Sequence, residues 1–121
     1  MSAALHKHWH RQDGKCFYCE GDTWMRGSGE RRLAAKTRLG LPIGVDGAAL
    51  ALRRATATLE HLVRKADGGK GGANLVMACA RCNVTRGTAT VEDHKAAMMD
   101  LVAQGKHPVN RRPVERERVA A

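Results

Sequence analysis

The chain is short of aromatic side chains, of acid and of long apolar runs. Only four aromatics occur in 121 residues, Trp9, Phe17, Tyr18 and Trp24, and all fall within the first 24 positions. The rest of the core must come from Leu, Val, Ile, Met and Ala, and a single domain of this length buries only about two-thirds of its unfolded surface. A core this thin often needs a staple, and a structural metal is one of the usual kinds. Acidic residues number 12 against 21 Lys and Arg, a formal net charge of +9. That imbalance favours a polyanionic partner, nucleic acid ahead of a membrane. No apolar run is long enough to span a bilayer. The opening M-S-A-A-L-H-K-H-W-H also lacks the apolar segment of a secretion signal. The expected location is the cytoplasm.

Against those absences stand four cysteines in two C-x-x-C pairs, Cys16–Cys19 and Cys79–Cys82. In a reducing compartment disulfides are disfavoured, and paired C-x-x-C units read as metal ligands. Four thiolates fit a tetrahedral zinc site that is closed to catalysis. One Zn²⁺ bound this way lowers the formal charge to +7. It also joins segments 60 residues apart, closing a long loop that the small core would struggle to hold.

In chain order, residues 1–13 are polar, with His6, His8 and His10 alternating in a solvated or helical start. Asp13-Gly14 signals a turn into the first cysteine knuckle. Residues 22–56 read as an insertion. It holds one helix from about Gly29 to Leu39, capped by Ser28 and carrying a basic face; Gly47–Arg54 reads either as a second short helix, capped by Asp46, or, from its A-L-A-L alternation, as a strand. Ala57–Val63 reads as a strand, the glycines from Gly68 to Gly72 as a wide connection, and Asn74–Ala78 as an antiparallel second strand. A short helix then spans Arg81–Arg86. Thr90 with Asp93 resembles a capping box for a helix over Val91–Ala103, on which His94 is expected at the surface. Residues 105–121 read as a loose basic tail, with a turn of helix around Val114–Val119.

Between the strands and the second knuckle lies a denser pattern: Thr58, Glu60-His61, Gly68-Gly69, Asn74-Leu75-Val76, Ala78-Cys79, Cys82-Asn83 and Arg86-Gly87. This spacing resembles the HNH endonucleases, and Cys16–Cys19 matches the zinc knuckle of many members. The resemblance covers about residues 15–90, apart from the insertion. It implies an α+β chain with the small ββα-metal (His-Me finger) HNH fold, stapled by a zinc on the four cysteines and carrying additional helices. The HNH domain would occupy residues 1–104, followed by the tail.

The resemblance also implies roles. His61 would be the general base, with an ordinary pKa of about 6.5 suited to neutral pH. Glu60 and Asn83 would hold a catalytic Mg²⁺ or Mn²⁺, and Asn74 would brace the loop that orients His61. Carboxylate and amide oxygens suit a hard cation of that kind, which stabilises the charge of phosphodiester hydrolysis. Arg64, Lys65, Arg81 and Arg86 flank the motif and could hold phosphates. Three positions depart from the common pattern: Glu60 stands for the shorter Asp, Arg64 for a proline, and Asn83 for a histidine. The implied activity is metal-dependent cleavage of DNA, duplex DNA being the expected partner, with no membrane and no small-molecule cofactor. One site per chain nicks one strand, and a homodimer would cut both. The alternative is a zinc-stapled nucleic-acid-binding module without catalysis.

Overall fold

The computed structural model describes residues 2–41, 47–63, 68–69 and 71–111. Among them run five α-helices and one two-stranded antiparallel sheet, an α+β arrangement. Helix α1 (Ala3–Arg11) starts where the Ser2 side chain accepts the N–H of Leu5. Helices α2 (Arg32–Arg38) and α3 (Ala48–Arg54) belong to the insertion. Strand β1 (Ala57–His61) pairs with β2 (Leu75–Cys79) in the register Glu60↔Val76 and His61↔Leu75. Helix α4 (Ala80–Arg86) follows β2 without a break, and α5 (Val91–Ala103) closes the described fold.

A glycine and a polar side chain hold the hairpin in place. Gly69 approaches the backbone so closely that a Cβ there would lie 1.9 Å from the Val63 carbonyl oxygen. At the middle of β2, Gln12 pairs with both backbone groups of Met77, each hydrogen bond 2.8 Å long, and so ties the exit of α1 to the sheet. The insertion leaves and rejoins the sheet at one place. Trp24 bridges to Thr56, its N–H bonded to Ala55 O at 2.9 Å and its carbonyl to Ala57 N at 2.8 Å.

Three small cores replace a single large one. The first packs the four cysteines with Tyr18, Ala78, Met98 and Val102. The second lies inside the insertion around Trp24, Ala35, Leu41 and Leu52, and the third joins Met25, Ala57 and Met77 under α1. Two of the scarce aromatics anchor these centres, with Tyr18 and Trp24 both buried.

Several expectations are corrected in detail. The first insertion helix begins at Arg32, not near Gly29, because the Ser28 hydroxyl accepts the N–H of Glu30 in its own turn and caps nothing. Strand β1 ends at His61, two residues early, where Leu62 N bonds to Asn74 O and the ladder gives way to a loop. His94 is buried, its Nε2 2.8 Å from Cys82 O and its ring edge-on to Tyr18. Residues 107–110 are no loose tail: His107 and Asn110 are buried on the cysteine centre. Asp46 and the segment Val114–Val119 lie outside the described residues. Among those described, no helix is long and apolar enough to cross a membrane.

Candidate functional site

The cysteine centre is built by two turns. In the first knuckle Cys16 N bonds to Gly21 O and Glu20 N to Cys16 O, folding the chain back on itself. In the second, Cys79 ends β2 and acts as N-cap of α4, its sulfur accepting Cys82 N. All four Sγ atoms lie within 4.8 Å of one another and all four residues are buried. None forms a disulfide. Four sulfurs about 2.3 Å from a central tetrahedral ion would stand about 3.8 Å apart, so the cluster can hold a metal such as zinc.

Charge makes the same point. Hydrogen bonding from Cys16, Cys79 and Cys82 pulls the Cys19 thiol far below its ordinary pKa. Hydrogen bonds to Cys16 and Cys19 push Cys79 far above it, and Cys16, Cys19 and Cys79 do the same to Cys82. Four thiolates cannot share this point unless a cation offsets them.

The sulfurs are also supplied with donors one by one. Tyr18 N reaches Cys16 Sγ at 3.3 Å, Gly21 N reaches Cys19 Sγ at 3.4 Å, and Cys82 N reaches Cys79 Sγ at 3.4 Å. Cys82 lies inside α4, and its donor is a side chain, His107, with Nε2 3.2 Å from Cys82 Sγ. The tautomer follows from the other ring nitrogen. Nδ1 accepts the N–H groups of Val109 and Asn110 at 3.0 and 3.1 Å, so the proton sits on Nε2 and points at the sulfur. Asn110 then donates to Cys19 O at 2.6 Å and packs so tightly on Gly21 that a Cβ there would meet it at 2.9 Å. Partners of this kind commonly tune metal affinity about 10- to 100-fold. His107→Ala is therefore expected to weaken metal binding by about that factor in competition with a chromophoric chelator; unchanged affinity would reduce His107 to packing.

The second cluster sits on the hairpin. Asn83, one residue past Cys82, is held by α4 against β1, its amide nitrogen donating to Thr58 Oγ1 at 3.0 Å and Leu59 O at 2.9 Å. With the nitrogen committed, the carbonyl oxygen is the atom left for a cation. Asn74 grips Val63 from both sides: its Oδ1 accepts Val63 N and its Nδ2 donates to Val63 O, each at 2.8 Å. His61 is the half-buried last residue of β1 and, by strand alternation, projects on the opposite face from Glu60.

Glu60 and Arg86 are used differently from what the sequence pattern suggests. The Glu60 carboxylate is buried, and its Oε2 accepts from Tyr18 Oη at 2.8 Å and from Arg86 at 2.9 Å. Arg86 is buried too and directs its remaining donors to Ala89 O, His61 O and Leu62 O. Burial and the Glu60 hydrogen bond together hold the Tyr18 phenol well above its ordinary pKa, so it stays a donor. A guanidinium thus stands against the oxygen expected to meet a divalent ion, and the donors expected to meet a phosphate are committed inside the fold. Arg81 is exposed; Arg64 and Lys65 lie outside the described residues.

No signal in the sequence singled out His107 or the Tyr18–Glu60–Arg86 chain, because each depends on partners brought together only by the fold. No family model, curated protein or solved structure matches this chain.

Proposed function

We propose that the chain is a zinc-stapled, metal-dependent DNA endonuclease of the HNH type, with β1, β2 and α4 forming a ββα-metal motif. The observation that carries the reading is the tie from Asn83 to the Thr58 hydroxyl and the Leu59 carbonyl, which couples a potential cation ligand to the strand bearing Glu60 and His61. The metal ligand Cys82 precedes Asn83 directly, so the zinc would fix where that amide points.

In this reading His61 takes a proton from the attacking water. It stands where β1 ends, which lets it turn toward the same phosphate as α4 despite facing away from Glu60. Arg86 fixes the carbonyls of His61 and Leu62, and Asn74 fixes both backbone groups of Val63, so the segment leaving the histidine is held on two sides. Asn83 and Glu60 are the residues that would hold Mg²⁺ or Mn²⁺. Their oxygens suit it, though Glu60 shares Oε2 with Arg86. When bound, that ion would supply charge stabilisation at the phosphoryl and leaving oxygens.

The test is conversion of supercoiled plasmid by zinc-loaded protein with and without added Mg²⁺. Omitting Mg²⁺ serves better than adding a strong chelator, which would also strip the cysteine centre. Cleavage that needs Mg²⁺ supports the reading. The buried Glu60–Arg86 pair favours one rival, a zinc-stapled nucleic-acid-binding module in which those residues are purely structural. Duplex binding without nicking in Mg²⁺ or Mn²⁺ would decide for that rival.

A further inference from the structure

The insertion has a charge pattern of its own. Residues 23–56 contain seven Lys and Arg against two acids, Glu30 and Asp46. Glu30 is already committed: Arg38 grips its carboxylate with two hydrogen bonds of 2.7 and 2.8 Å. Four of the six remaining cations converge on one place. A cavity of about 150 Å³ lies between α2, α3 and the start of the sheet, lined by Trp24, Arg26, Arg32, Lys36, Arg53 and Thr56 among others, with no carboxylate among the described residues of its wall. None of these four cations makes an ion pair among the described residues.

Trp24 organises the cavity. Its ring is fixed by Nε1 donating to Glu30 O at 2.9 Å and by the backbone bridge to Thr56. The guanidinium groups of Arg26 and Arg32 lie 5.8 and 5.5 Å from the ring centroid, within cation–π range. Two like charges are thereby held over one ring and close to Lys36 and Arg53, an arrangement that costs Coulomb repulsion until an anion enters.

We propose that this cavity binds a backbone phosphate of duplex DNA that flanks the cleavage point, and that the insertion is therefore a DNA-gripping element of the proposed nuclease. The assignment rests on the endonuclease reading. The spacing accords with it. Thr56 lies five residues before His61, at the entry to β1, about 17 Å of extended chain at about 3.3 Å per residue. That distance covers about five base-pair steps of about 3.4 Å, so the phosphate held here is not the one attacked.

The test is the salt dependence of duplex binding by the full zinc-loaded chain without Mg²⁺. Each phosphate contact contributes about 0.9 to the slope of log K against log salt. Arg32→Gln/Arg53→Gln should lower the slope by about 0.9 and weaken binding about eightfold at about 0.1 M salt. Both side chains are exposed, so the variant should fold. Arg32→Lys/Arg53→Lys should keep most of the slope. Lys7→Gln/Arg11→Gln, an equal loss of charge on exposed α1 positions, should change it much less. A wild-type slope in the Gln pair with Mg²⁺-dependent cleavage intact overturns the cavity assignment alone, as does an equal loss in the α1 pair. A wild-type chain that neither binds nor cuts duplex DNA overturns the nuclease reading and the assignment with it.

Discussion

Removal of the metal from the four-cysteine centre is expected to unfold the chain. The cysteines make up half of the buried residues in the core that joins both knuckles to α5. Without a cation the four sulfurs crowd one point and cannot all ionise. The two knuckles also close a loop of 60 residues, whose closure entropy returns as a cost once the link is gone. Structural zinc contributes about 10–16 kcal/mol in small domains, against about 5–15 kcal/mol of total stability for a typical domain. Cys79→Ser should do the same, since Cys79 is at once a candidate ligand and the N-cap of α4. Circular dichroism during chelator titration, with a thermal melt at each end, reads the result. We expect loss of the cooperative transition; a melt within a few degrees of the loaded protein would show that the cysteines are ordinary core.

Arg86→Ala is expected to be the most damaging change outside the cysteines. It removes the partner of a buried carboxylate and abandons the carbonyls of His61, Leu62 and Ala89 at the same time. Breaking a buried pair by deleting one member costs about 3–5 kcal/mol, because the remaining charge loses its compensation. The side chains of Arg86 and Glu60 are only 7% and 9% exposed, so solvent does little to soften the loss. Glu60→Gln should cost less, since the amide still accepts from Tyr18 and Arg86. In a double-mutant cycle, Glu60→Gln with Arg86→Ala should be clearly less destabilising than the two single effects added. Additive effects in urea melts would mean that the pair contributes no coupling, and that Arg86 acts through the backbone carbonyls alone.

The parts of the fold that were legible in the sequence are those written as local patterns. Thr90 does accept the Asp93 N–H at the start of α5. The strands pair antiparallel within two residues of their expected bounds. The matched C-x-x-C units meet at one buried point. What was not legible depends on partners distant in sequence. His94 shares the apolar face of its helix with Val91, Met98 and Val102, but only the fold supplies the partner that lets an imidazole be buried there, the Cys82 carbonyl. His107 and Asn110 have no periodic signal at all, because individual hydrogen bonds to Cys82 Sγ and Cys19 O hold them rather than an apolar face. Arg86 looks like one more surface cation until the fold sets Glu60 and Tyr18 beside it. Ser28 precedes a helical run and has the chemistry of a cap, but its hydroxyl is used two residues on.

In the proposed mechanism His61 acts as the base for phosphodiester hydrolysis on this hairpin. The most direct measurement is the rate at which zinc-loaded wild type and His61→Ala nick supercoiled plasmid in Mg²⁺, with equal zinc content and melting temperature checked beforehand. His61 is half-buried and its side chain makes no hydrogen bond among the described residues, so the variant should fold normally. Loss of a general base lowers the rate by about 10²- to 10⁴-fold, and that is the predicted result. Plasmid nicking by folded His61→Ala at the wild-type rate would contradict it.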